Sequence, residues 1–101
     1  MLTSKQRAQL RGLAATEDTI VHIGKGGITD NIVTQMSDAL KARELVKGRV
    51  LENSLLSARE ACDALAEACR AEPVQVIGSK FVLYKRNEQK PRIELVKKAK
   101  K

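Results

Sequence analysis

Three helix-start signals set the frame: Thr3 followed by Gln6, Thr29 followed by Asp30, and Ser57 followed by Glu60. A hydroxyl at the N-cap satisfies one of the first free backbone N–H groups of a helix, and a Gln or Glu three residues on can return the bond. Each signal precedes apolar residues at helical spacing. Leu10 and Ala14, with Leu13, form the inward stripe of the first helix, over about residues 3–15. Ile32, Val33, Met36, Ala39 and Leu40 form that of the second, to about residue 42, and Ala61, Leu65 and Ala68, flanked by Cys62 and Cys69, that of the third, to about residue 70. Between the helices lie shorter runs with strand character. Residues 19–23 are one, and residues 44–51 another, with Val46, Gly48 and Val50 on one face and Leu45, Lys47, Arg49 and Leu51 on the other. Residues 74–77 and 80–86 flank Gly78-Ser79, a pair suited to a tight hairpin, with Pro73 at the exit of the third helix.

The order is therefore α-β-α-β-α-β-β. Helical crossovers make the first three strands parallel, and the hairpin adds an antiparallel member. Because the second strand exposes charge on one face, the expectation is an α/β two-layer sandwich, a mixed four-stranded sheet with helices packed on one face.

At 101 residues the chain is one domain, with a core built from aliphatic side chains because Phe81 and Tyr84 are its only aromatics. So few rings argue against recognition by several bases stacked on aromatic platforms. The formal charge of +7 is unevenly spread: from Lys85 onward eight basic residues face only Glu88 and Glu94, whereas residues 1–84 carry eleven basic and ten acidic side chains. The expected division is a domain over 1–86, nearly neutral up to residue 84, and a basic, flexible tail over 87–101. Such a tail suits a polyanion, and it also serves as a solubilising terminus.

Between the first strand and the second helix lies Gly24-Lys25-Gly26-Gly27. A glycine-rich turn at a helix N-terminus offers unobstructed backbone N–H groups and the positive end of the helix dipole, and here a lysine is added. That is a phosphate-binding arrangement. The spacing excludes a Walker loop, and a dinucleotide fingerprint starting at Gly24 would need glycine where Thr29 stands. Gly-X-X-Gly with an internal cation instead matches the backbone clamp of K-homology RNA modules, although a tight strand-to-helix turn also favours glycine on conformational grounds alone. Thr29 adds a hydroxyl beside the turn. Lys5, Arg7 and Arg11 on the first helix, and Lys47 and Arg49 on the open face of the sheet, are supporting cations.

Other chemistry is thinly represented. Cys62 and Cys69, seven positions apart on one helix, stand roughly 10 Å apart along its face and cannot bridge each other there. They read as buried thiols in a reducing compartment, with only His22 as a further soft ligand and hence no metal site. A small enzyme or binding protein for a phosphorylated metabolite, using the same loop, is the alternative. It lacks a partner to activate His22, which alternation places on the rim. Lipid binding by the tail is a third reading, weakened by the absence of an aromatic anchor. With no apolar leader or membrane-length run, the protein is expected to be soluble and cytoplasmic.

Residues 2–7 (Leu-Thr-Ser-Lys-Gln-Arg), 21–31 (Val-His-Ile-Gly-Lys-Gly-Gly-Ile-Thr-Asp-Asn), 44–47 (Glu-Leu-Val-Lys), and 74–78 through 82–85 together resemble the YhbY-like RNA-binding proteins, the stand-alone bacterial form of the CRM (chloroplast RNA splicing and ribosome maturation) domain. The likeness is collinear over about residues 2–86. It implies a fold similar to the C-terminal domain of a bacterial translation initiation factor. It also implies non-catalytic RNA binding, without a cofactor, through the Gly-X-X-Gly loop, with ribosomal RNA of the large-subunit precursor as partner and ribosome assembly as the role. On that resemblance Gly24 and Gly27 permit close approach of RNA backbone, Lys25 contacts phosphate, and Gly26 and Thr29 supply donors. The protein is expected to act as a monomer away from membranes.

Overall fold

All three cap signals start helices. In the computed structural model, which describes residues 2–87 together with Gln89 and Ile93, helix α1 spans Ser4–Ala14, α2 Asp30–Arg43 and α3 Ala58–Cys69. Thr3 with Gln6 and Ser57 with Glu60 close reciprocal capping boxes, and Thr29 Oγ1 accepts from the Ile32 amide at 3.2 Å. The strands are β1 Thr19–Ile23, β2 Leu45–Val50, β3 Glu72–Ile77 and β4 Lys80–Tyr84. They pair in the order β1-β2-β4-β3, with β1 parallel to β2 and β4 antiparallel to both β2 and β3. The first three strands thus run one way, and the last strand is inserted between β2 and β3. The mixed four-stranded α/β sheet is as expected.

The placement of the helices is not. Phe81 and Leu83 of β4 face a core built with Val21, Ile23, Met36, Leu40, Val46, Val50 and the buried stripe of α3. Val82 and Tyr84, which point to the other side, join Leu45 and Val74 in a second core closed by Leu10 and Ala14 of α1. Helices α2 and α3 therefore cover one face and α1 part of the other, so packing on one face only is corrected. The cause is β4 itself: four consecutive buried residues give the strand two apolar faces, and each needs a cover.

Smaller corrections follow from the same packing. Leu13 is 42% exposed because α1 turns only Leu10 and Ala14 down. On α3, Cys62, Ala66 and Cys69 are buried with Ala61 and Leu65, while Ala68 faces out. Pro73 lies within β3, where it is tolerated because β3 is an edge strand. Glu44 is the C-cap of α2 and not a strand residue, with φ of 64°. The Gly78-Ser79 hairpin forms as expected, with Ile77 opposite Lys80.

Candidate functional site

The glycine turn sits at the carboxyl end of β1, where an open α/β sheet commonly presents its binding crevice. The Gly27 amide donates to the Gly24 carbonyl at 3.0 Å, and Gly27 has φ of +69°. Its glycine is thus conformational. Gly24 and Gly26 are different. Neither has positive φ, and a Cβ at either would meet its nearest neighbours, Asn53 and Leu51 or Thr29, only at ordinary contact distances of 3.6–3.7 Å. The fold itself does not demand a bare backbone there, so what the two glycines provide is an unobstructed outer surface. Lys25 and Gly26, at the tip of the turn, are exposed. Thr29 uses a hydroxyl lone pair to cap α2 and keeps its own proton for donation outward.

A second loop, residues 51–57, lies against this turn. The Leu51 amide donates to the Ile23 carbonyl at 2.8 Å, Ser54 donates back to Leu51 at 3.0 Å, and Leu55 at the tip is 95% exposed. At the same end of the sheet the Val50 amide is bound by the Ser79 carbonyl at 2.8 Å. Three connections therefore lie at this end of the sheet.

Strand register extends this surface. His22 of β1 is opposite Arg49 of β2, Arg49 is opposite Lys80 of β4, and Lys80 is opposite Ile77 of β3. All four are exposed, on the face that carries α1. Lys47, one pleat deeper, lines a groove with Arg11 and Lys80. Among the described residues, Arg43 pairs with Glu17, and none of Lys25, Lys47, Arg49, Lys80 or Arg11 has a carboxylate within salt-bridge distance. The strip carries uncompensated positive charge and favours an extended anion.

Most of the residues singled out in the sequence thus meet on one surface. Gly24, Lys25, Gly26, Gly27 and Thr29 form its head, Arg49 and Lys47 its middle, and Arg11 its far wall, with Arg7 one helical turn behind. Lys5 departs from the group: two residues before Arg7, it lies about 200° round α1 and projects away from the strip. Lys80, which the sequence does not single out, joins the strip beside Arg49. Its signal was the Gly78-Ser79 turn, whose two-residue loop fixes Lys80 as the first paired residue of β4, but its lateral neighbour Arg49 depends on the strand order.

Elsewhere the chemistry is structural. Cys62 and Cys69 are free, buried thiols. Burial, reinforced by Asp63 and opposed by Arg59, pushes Cys62 up to about 11. Burial also raises Cys69, against the pull of Lys85. No group of His, Cys, Asp and Glu among the described residues is arranged to hold a metal ion. No helix among them is long and apolar enough to cross a membrane. Of the expected basic tail, most lies outside the described residues, but Asn87 and Ile93 are not loose: their amides donate to the buried Glu44 carboxylate at 2.6 and 2.7 Å.

Comparison with known proteins agrees with this architecture. The chain is 42% identical over 95 residues to the probable RNA-binding protein YqeI of Bacillus subtilis, covering 94% of this chain and 99% of that one. It is 31% identical over 88 residues to an RNA-binding protein of Haemophilus influenzae, covering 87% and 89%. The solution structure of a hypothetical protein from Staphylococcus aureus, assigned there provisionally to RNA binding, superposes with a TM-score of 0.79 at 47% identity, over 95% of this chain and all of that one. Residues 2–85 match the family model of the CRS1/YhbY (CRM) domain, and the chain belongs to that family.

Proposed function

We propose that this is a non-catalytic RNA-binding protein, holding RNA backbone at the Gly24–Gly27 turn and along the basic strip beside it. The observation that carries the reading is the pair Gly24 and Gly26, whose missing side chains answer no internal need and leave the chain open beside Lys25 and the N-terminus of α2. The names of the relatives support RNA as the polyanion. Lys25 supplies a phosphate contact, Gly26 and Thr29 supply donors, and Arg49, Lys47, Lys80, Arg11 and Arg7 follow the strand away from the turn. Lys5 and the terminal lysines add long-range attraction. The resemblance to YhbY-like proteins further suggests a cytoplasmic monomer acting on precursors of the large ribosomal subunit.

Crosslinking in cells, with sequencing of the bound RNA, tests the cellular target. The expected result is enrichment of precursor ribosomal RNA of the large subunit that Lys25→Ala reduces. Recovery of unrelated transcripts at equal frequency overturns the ribosomal assignment. A purified protein that binds phosphorylated metabolites but no RNA supports the metabolite alternative.

A further inference from the structure

The groove beneath the end of α1 differs in chemistry from the turn. Its volume is about 280 Å³, near the lower limit of roughly 300 Å³ typical of small-ligand pockets. Ala14, Ala15, Val82 and Ile77 give it apolar walls and floor, Arg11, Lys47 and Lys80 bring positive charge, and among the described residues Gln75 is its one uncharged hydrogen-bonding side chain. A phosphate gains nothing from an apolar floor. A nucleobase has two apolar faces and a polar edge, and needs both kinds of surface.

The backbone is shaped for this. Between Pro73, opposite Leu83, and Gln75, opposite Val82, β3 contains one residue more than β4. That bulge suspends the usual alternation. Val74 packs into the core under α1, and Gln75, its immediate neighbour, reaches the groove on the same face. Bulges re-aim side chains in this way, often beside functional sites. Among the described residues no acidic side chain lines the groove, so the cations are free to meet phosphates on either side of an inserted base, and the Arg11 guanidinium offers a plane for stacking.

We propose that this groove receives one unpaired nucleobase of the bound RNA, with Gln75 reading its edge. The proposal rests on the RNA-binding reading above. The Gln75 amide both donates and accepts, so it matches a base edge that presents complementary groups side by side. The groove lies two to three strand spacings from β1, roughly 10–15 Å. A single strand held at Lys25 therefore passes Arg49 and Lys80 before reaching it.

The test is a titration of the full chain, followed by NMR, with short single-stranded homopolymers of adenine, cytosine and uracil and with a fully paired RNA duplex. Single strands are expected to shift the Gln75 side-chain amide and the Val82 and Ile77 methyl groups as well as the glycine turn and the basic strip, while the duplex shifts the turn and the strip without the Gln75 amide or the Val82 methyl groups. Gln75→Ala, which leaves charge unchanged, is expected to reduce discrimination among the homopolymers about tenfold. Ile77→Glu, at a position already 62% exposed, is expected to weaken single strands more than duplex without altering the fold. Shifts confined to the turn and the basic strip, with wild-type discrimination in Gln75→Ala, overturn the base pocket and leave backbone binding intact. Absence of any RNA-dependent shift overturns both.

Discussion

Phe81 lies directly across from Gly48 in the β2–β4 pair, and its ring occupies the space that a side chain at position 48 would need. A Cβ there would fall well inside van der Waals contact with three ring carbons. Both residues are buried in the middle of the sheet, so neither can withdraw into solvent. Gly48→Ala is expected to cost about 1–3 kcal/mol, the usual range for an overpacked core. A urea titration gives the value, and combining the change with Phe81→Leu should recover part of it. A single variant within about 0.5 kcal/mol of wild type would mean that the ring yields easily.

Glu44 joins two distant parts of the chain. It closes α2 with a positive φ of 64°, its carbonyl accepts from Lys85 at 2.9 Å, and its carboxylate binds the Asn87 and Ile93 amides. Ile93 in turn packs against the core under α1. Glu44→Ala is expected to remove amide-exchange protection at Asn87 and Ile93 and to cost about 1–3 kcal/mol through the donors left behind. Unchanged protection at both amides would show that packing of Ile93 alone holds the segment.

Alkaline pH probes both cores, Cys62 under α2 and α3 and Tyr84 under α1. Burial raises the Cys62 thiol from its ordinary 9.0 to about 11, and burial, followed by the neighbouring Glu44 carboxylate, raises the Tyr84 phenol against an opposing Arg86. The unfolded chain loses the Cys62 proton first, so between about pH 9 and pH 11 it binds fewer protons than the native state, and stability falls as pH rises. The thermal midpoint should therefore decline across that window, less steeply in Cys62→Ala. Equal slopes for the two proteins would remove Cys62 as the cause.

Local chemistry made much of this fold readable in advance. Thr3, Thr29 and Ser57 start helices because a cap acts within one turn, and Gly78-Ser79 makes a hairpin because a two-residue loop leaves the strands no other course. The side of the sheet that α1 covers was harder. Leu10 and Ala14 say that the helix buries a stripe but not against what; the available signal was the unbroken apolar run Phe81-Val82-Leu83-Tyr84, which marks a strand covered on both faces. Rotation of α3 was ambiguous because Ala66 and Ala68 flank the apolar stripe on opposite edges, making Ala68 as plausible inside as Ala66. In the candidate site, the glycine turn and its lysine were evident from spacing. The Arg49–Lys80 adjacency and the bulge that aims Gln75 arise only from strand order and register.

The central claim is that Lys25, in a turn kept bare by Gly24 and Gly26, neutralises a phosphate of bound RNA. The most direct measurement is the dependence of RNA affinity on salt for wild type and Lys25→Ala. Loss of one phosphate contact lowers the slope of log affinity against log salt by about 1, with relative affinities for different RNA sequences preserved. A Lys25→Ala slope equal to that of wild type would contradict the account.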